Sequence, residues 1–377
     1  MNINTTKKTM LDTIRQLRGT GNFKIDIQNS NRHCLLVQAN QEKTAYCFSS
    51  PIYNSVSGRL VNFEFKKNEH EYIHLGTSSR VRINKNNCIF EDSNGKAYIT
   101  FMEKLSIQVG HQSTLSDISL FPSLNGIICI VRKRKIVFRL KTEAITHSIR
   151  YHPTCFSVMR DKYKPFLSIA SIFATDKIEE ITPVEITYSK ISNQEYEIEL
   201  INNDEGIFYF EINLYEPKLF QDTTVESLNP NQNNAYGAIA FIGKTNMFGE
   251  QWLYSRPDFS KVSDLASEKI EKVFWHIPIL NGNTQNVDVY IPQKRFCSFG
   301  STWNKKVNSS TKIASSNNTG RYLTIDVTTM FTSRIKNTLV NNEGLILRKP
   351  KEKNNFIAIS TGDCYSAPQI MEIKFKN

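Results

Sequence analysis

Apolar and polar residues alternate along most of this sequence. A period of two suits a strand, whose successive side chains point to opposite faces, and does not suit a helix. The runs begin with "NFKIDIQ", "HCLLVQA", "TAYCFS", "RLVNFEF", "EYIHLGT", "RVRIN", "CIFED" and "KAYITF". They resume after "FPSLNG" with "IICIV", "KIVFRL", "PVEITYSKI", "YEIELI" and "GIFYFEINLYE". Asn, Gly, Ser or Lys separates them, and in "EDSNGKAY" the Asn94-Gly95 pair is a strong hairpin signal. The 23 Phe and 15 Tyr also favour a β-rich chain. Strands at regular spacing, with no βαβ alternation, predict an all-β protein of two or three consecutive β-sandwich, jelly-roll-like domains.

Two segments depart from this texture. Met10, Leu11, Ile14 and Leu17 fall at helical spacing, with Asp12 near the start and Gly19 and Gly21 at the end. They predict a short amphipathic helix in an arm over residues 1–21, which either caps the first domain or docks onto another subunit. "ASEKIEKVFWHI" offers a weak helical alternative to a strand. A boundary is expected near residue 218, where "FYFEINLYE" gives way to "PKLFQDTTVESLNPNQNN", and a weaker one near 121 at "FPSLNG". The expected division is therefore 22–218 for one or two sandwiches and 219–377 for a further one.

The formal net charge of +11 directs attention to an anionic partner, either nucleic acid or an acidic envelope polymer. The excess is spread along the chain: 28 Lys and Arg against 23 Asp and Glu in the first 219 residues, 19 against 13 in the last 158. The one dense cluster, Arg132 to Lys135, lies between "IICIV" and "IVFRL" and reads as the solvated end of a hairpin, which argues against nucleic acid. The N-terminus has no apolar signal-peptide core, and no run reaches the length that spans a bilayer. The expectation is a chain made in the cytoplasm that acts within a particle or on a cell or spore surface. Its seven scattered cysteines, with no C-x-x-C pair, are expected to be reduced and mostly buried, Cys297 and Cys364 among them.

His70-Glu71-Tyr72-Ile73-His74 matches the H-E-x-x-H expression of zinc hydrolases. That chemistry needs both imidazoles on one face of a helix. Here "LVNFEF" precedes and "RVRIN" follows, so a turn and a strand are expected, with Glu71, Ile73 and Leu75 on one face and Tyr72 and His74 on the other. The two histidines would then lie about 13 Å apart, at roughly 3.3 Å per residue, too far to share a metal. No metal, cofactor or catalytic residue is expected. There is no G-x-S-x-G elbow, P-loop or dinucleotide fingerprint, and paired glycosidase carboxylates meet only in the fold. His276 in "VFWHIPIL" reads as a core histidine whose polar atoms are satisfied.

From Asp222 to Phe375 a series of features occurs in order: "DTTVESLNPNQNNAYG", "AIAFIG", "WLYSRPDFSKV", "KIEKVFWHIPIL", "GSTWNKKV", "RYLTIDVTTMF", "NEGLILRKP" and "FIAISTGDCYSAPQIMEIKF". In that order they resemble the DNRLRE module, a jelly-roll-like β-sandwich family of bacterial surface and phage-associated proteins. Thr361-Gly362-Asp363-Cys364 departs from the family's usual step after the "FIAIS" strand. The resemblance implies a binding or structural module, in some members associated with carbohydrate, and no catalytic residues. Trp252, Tyr254, Trp303 and Tyr365 are placed at expected loops or strand ends, where an aromatic face is available to stack on a sugar or another subunit; the alternative is core packing, which is the favoured reading for Trp303.

The leading expectation is a non-enzymatic structural or attachment protein of a surface-active assembly, a phage tail or tail-like particle, partnered by other subunits as a homo-oligomer and by an anionic cell-envelope polysaccharide. A spore-coat or surface-layer protein and a glycan-active hydrolase are the alternatives.

Overall fold

The structure is a computed structural model and describes residues 10–19, 22–107, 116–143, 148–174, 183–203, 206–282, 286–316, 320–338, 341–349 and 356–376. Helix α1 (Met10–Arg18) leads into β1 (Lys24–Asp26), β2 (Cys34–Ala39) and β3 (Glu42–Phe48). Then come β4 (Lys66–Asn68), β5 (Glu71–Leu75), β6 (Arg80–Asn84), β7 (Asn87–Asp92), β8 (Gly95–Phe101), β9 (Leu105–Ile107), β10 (Ile118–Pro122), β11 (Gly126–Val131) and β12 (Lys135–Thr142). They are followed by β13 (Ser148–His152), β14 (Cys155–Met159), β15 (Pro165–Ala174), β16 (Glu185–Lys190), β17 (Glu195–Ile201) and β18 (Phe208–Leu214). The C-terminal part holds β19 (Phe220–Glu226), β20 (Ile239–Thr245), β21 (Gly249–Pro257), β22 (Ile270–Gly282), β23 (Val287–Pro292), β24 (Ser309–Ser316) and β25 (Tyr322–Asp326). Helix α2 (Thr328–Lys336), β26 (Leu345–Arg348), β27 (Phe356–Ser360) and β28 (Ile370–Phe375) close it. The protein is all-β, as the alternation predicts.

Two sheets make the central sandwich. Eight strands run in the order β16-β17-β12-β8-β7-β6-β5-β4, and seven in the order β13-β14-β15-β18-β11-β10-β9. Phe90, Phe101 and Phe138 of the first sheet share a core with Phe156, Phe208 and Phe210 of the second. In "KIVFRL" and "YEIELI" only alternate residues are buried, because the eight-stranded sheet keeps its outer face in water. "GIICIV" and "CFSVM" are buried throughout, because the other face of the seven-stranded sheet is covered too. Cys155, Met159, Ala170 and Ile172 on that face pack against Ile239, Phe241 and Ala358 of β20 and β27.

The third sheet runs β1-β2-β3-β28-β22-β27-β20-β21-β26-β23-β24, with β19 joined to β21 and β25 to β22. It surrounds its own core, in which Trp275 stacks on Phe220 at 5.1 Å and Phe331 of α2 packs nearby. Because β3 pairs with β28 from Ile370↔Phe48 to Lys374↔Thr44, residues 24–48 belong to the sheet of the C-terminal sandwich. The expected span 22–218 is therefore divided between two sandwiches. The expected boundary near 121 lies inside the β10–β11 hairpin, whose Ile118, Leu120, Ile127 and Cys129 all enter the central core.

Two local expectations are corrected, and one segment changes from strand to helix partway. Arg132 to Lys135 joins β11 to β12, strands of different sheets, so the cluster is a crossover between layers rather than a hairpin end. Cys34 and Cys47, opposite each other on β2 and β3, form a disulfide, and Cys297 is exposed. The "RYLTIDVTTMF" segment is a strand only to Asp326; its carboxylate accepts the Thr328 N–H at 3.0 Å and α2 starts there. "KIEKVFWHI" is strand. Helix α1 buries Met10 and Ile14 on Leu35, Val37, Tyr46 and Phe48, so it caps the sheet; residues 1–9 and 20–21 of the expected arm lie outside the described residues.

Candidate functional site

The H-E-x-x-H stretch has the expected geometry of turn and strand. His70 is exposed beside β4, while His74 on β5 is buried, with Nε2 2.7 Å from the Ser123 carbonyl oxygen. Burial brings the His74 pKa down to about 4, as expected for a neutral core imidazole. His276 is likewise enclosed, between Thr324 Oγ1 at 2.9 Å and Glu372 Oε2 at 2.8 Å.

Of the four aromatic candidates, three come together. Trp252 and Tyr254 lie within β21 rather than at its ends, and Trp303 opens a short 3₁₀ turn, Trp303–Lys305. The pairings Leu253↔Leu347 and Asp288↔Arg348 put Trp252 and Arg348 side by side on the outer face of the sheet, next to β23. Arg348 lies over the Trp252 ring at 5.0 Å and over Tyr290 at 3.9 Å. On the other side Trp303 packs against Trp252 with ring centroids 5.3 Å apart, and Lys306 Nζ sits 3.9 Å above the Trp303 ring. The strip therefore runs cation, ring, ring, cation, ring, in the order Lys306–Trp303–Trp252–Arg348–Tyr290, and each contact is of cation–π or tilted-ring type. Trp252 is 8% exposed and donates from Nε1 to Glu250 at 2.7 Å, whereas Trp303, Lys306, Arg348 and Tyr290 are half-buried. Loss of water beside the rings lowers the Lys306 pKa. Tyr254 belongs to the same cluster but is fully buried, its hydroxyl donating to the Val307 carbonyl, so it supports the strip from below.

Tyr365 lies elsewhere, at the junction of the two sandwiches, in a cluster of buried charge that spacing could not reveal. Glu216 accepts two hydrogen bonds from Arg32, at 2.9 and 3.0 Å, and its backbone N–H donates to the Tyr365 hydroxyl at 3.3 Å. Lys218 pairs with Asp363, and the two side chains are 6% and 9% exposed. The rings of Tyr215 and Tyr365 flank the Lys218 ammonium, at 5.8 and 5.0 Å. Glu211 accepts from the N–H groups of Tyr365 and Ser366, both at 3.0 Å, and Asp222 accepts from Gly362 N–H. Burial pushes Glu211 and Asp222 up to about 7 and brings Lys218 down to about 8. Lys218, Asp363, Glu211, Ser168 and Tyr236 line a cavity of about 10 Å³, room for one water molecule.

No protein-family model matches the chain, and a search of curated proteins found no match.

Proposed function

We propose that the protein is a non-enzymatic structural and attachment component of a surface-active assembly, a phage tail or tail-like particle. It holds an anionic cell-envelope glycan on the strip Lys306–Trp303–Trp252–Arg348–Tyr290. The observation that carries this reading is the half-buried Trp303 ring with Lys306 over it, continued by Arg348 between two further rings. Aromatic faces supply stacking area for sugar rings, and the two cations supply charge for carboxylate or phosphate substituents. The resemblance of residues 222–375 to a carbohydrate-associated module and the net charge of +11 point the same way.

The test is retention on purified cell walls at low and high salt, with wild type beside a Trp303→Ala/Lys306→Ala variant. Wild type should be retained at low salt and released as screening rises. The variant should bind about tenfold more weakly, because a partly desolvated cation–π and stacking contact is worth on the order of 1–2 kcal/mol. Absence of retention at low salt, or equal retention of the variant, would sink the glycan assignment.

A further inference from the structure

We propose that Lys218 and Asp363 condense to an intramolecular amide cross-link, with Glu211 as the proton relay. The inference is independent of the glycan reading. A buried ion pair is costly unless additional hydrogen bonds satisfy it, and here burial works against the charged form of the amine. Both side chains are in contact and nearly sealed from water, with tyrosine rings on the amine. The Asp363 loop cannot swing away, because Asp222 holds the N–H of Gly362 just before it and Glu211 holds the N–H groups of Tyr365 and Ser366 just after. Glu211 lines the one-water cavity together with the amine and the acid.

The protonation states suit condensation. An ammonium has no lone pair to attack with, but burial brings Lys218 down to about 8, so a free amine is accessible near neutral pH. Glu211 at about 7 is poised to accept and return a proton in that range. Besides its partner Asp363, the titratable groups whose charge acts on the amine are Asp222, Glu211, Cys155 and Cys364.

In the step, the Lys218 ammonium first passes a proton to the Asp363 carboxylate within the pair, the freed Nζ lone pair attacks Cγ of the resulting acid, and a C–N bond forms. Glu211 takes a proton from the nitrogen and delivers it to the carboxyl hydroxyl; the C–O bond breaks and the hydroxyl leaves as water. The products are the amide and one water, and no oxidant or co-reactant is needed. Fixed proximity replaces a bimolecular encounter, and the scarcity of water around the amide limits its hydrolysis. The cross-link would close the chain from the start of β19 to the loop after β27 into one covalent loop.

Intact-mass measurement of the full chain, after reduction of its disulfide, tests the proposal, with a tryptic map of the same sample. The mass should fall short of the sequence by one water. Cleavage after Lys218 should be absent, and residues 191–244 should appear joined to residues 354–374, the linkage located by fragmentation at Lys218 and Asp363. A Glu211→Gln variant whose tryptophan fluorescence matches wild type should keep the full mass. Full mass in wild type, with separate peptides, overturns the cross-link. A folded Glu211→Gln protein that still loses water overturns the role of Glu211.

Discussion

Replacing Glu211 by Gln should change the way stability depends on pH, and the size of the change follows from its surroundings. Glu211 is sealed in the junction and its pKa is raised from 4.5 to about 7, chiefly by loss of solvation, against the pull of two backbone N–H groups. Between these values the unfolded chain has released the Glu211 proton while the folded chain keeps it. Stability is therefore fully present below pH 4.5 and falls as pH rises towards 7. At about 1.36 kcal/mol per pKa unit, the loss amounts to about 3 kcal/mol. Asp222, raised from 3.8 to about 7, acts in the same direction and remains in the variant; Lys218 as a free amine, lowered from 10.5 to about 8, adds stability only as pH rises above 8, and as an amide it does not titrate.

Glutamine cannot ionise, so the variant should lack the Glu211 share of this slope. It carries a constant penalty instead, because one of the two N–H groups at Tyr365 and Ser366 meets an amide NH₂ in place of an oxygen, a cost of about 1–3 kcal/mol. Any loss of the cross-link frees Lys218 and Asp363 to titrate, so the comparison is made against a Lys218→Met background, in which no amide can form in either protein. The assay is denaturant unfolding from pH 4.5 to 7.5, followed by the fluorescence of Trp252, Trp275 and Trp303, all in the C-terminal sandwich. The variant should be the less stable at pH 4.5, and the gap should narrow by about 3 kcal/mol by pH 7.5. A gap that stays constant over this range would refute a raised Glu211 pKa.

Two further substitutions test the packing. A methyl group at Gly126 would run into the Ile212 carbonyl oxygen and come within 2.8 Å of Asn213 Cα on β18, so Gly126→Ala should cost at least about 1–3 kcal/mol; an unchanged unfolding midpoint would contradict the close approach of β11 and β18. The Cys34–Cys47 disulfide spans 13 residues, and its loss through Cys34→Ser/Cys47→Ser should cost about 3 kcal/mol by loop-closure entropy. Alkylation in denaturant should modify five cysteines before reduction and seven after it, and seven in both samples would exclude the bond.

The fold class was legible because a sheet with one wet face writes its period into the sequence, as "KIVFRL" and "YEIELI" do. Strand partners were not, because pairing is decided by faces that lie far apart in the chain. "HCLLVQA" gives the local reason: Cys34 and Leu36 face the C-terminal core while Leu35 and Val37 face α1. A strand buried on both sides loses its alternation, and nothing in it indicates that its sheet continues to β28 at the far end of the chain. Helix α2 was missed although Phe331 and Ile335 are four apart, because "RYLTID" establishes a strand period just before it and Thr has little helical preference.

The candidate site divides along the same line. Trp252 and Trp303 could be picked out one at a time because large rings are rare and chemically distinctive, but their relation to Arg348 and Tyr290 is a product of strand register. Lys218, Asp222 and Asp363 look like solvated residues in "PKLFQDTT" and "STGDCYS", and charge near Pro, Gly and Ser ordinarily belongs to a surface turn. Their burial follows from docking the central sandwich onto the C-terminal one, which brings Glu211 of β18 against the loop between β27 and β28. A surface turn would leave these groups at ordinary pKa values and free to ionise. Sealed between the sandwiches, the Lys218 amine and the Glu211 and Asp222 carboxylates are all pushed towards their neutral forms, because burial penalises each charge.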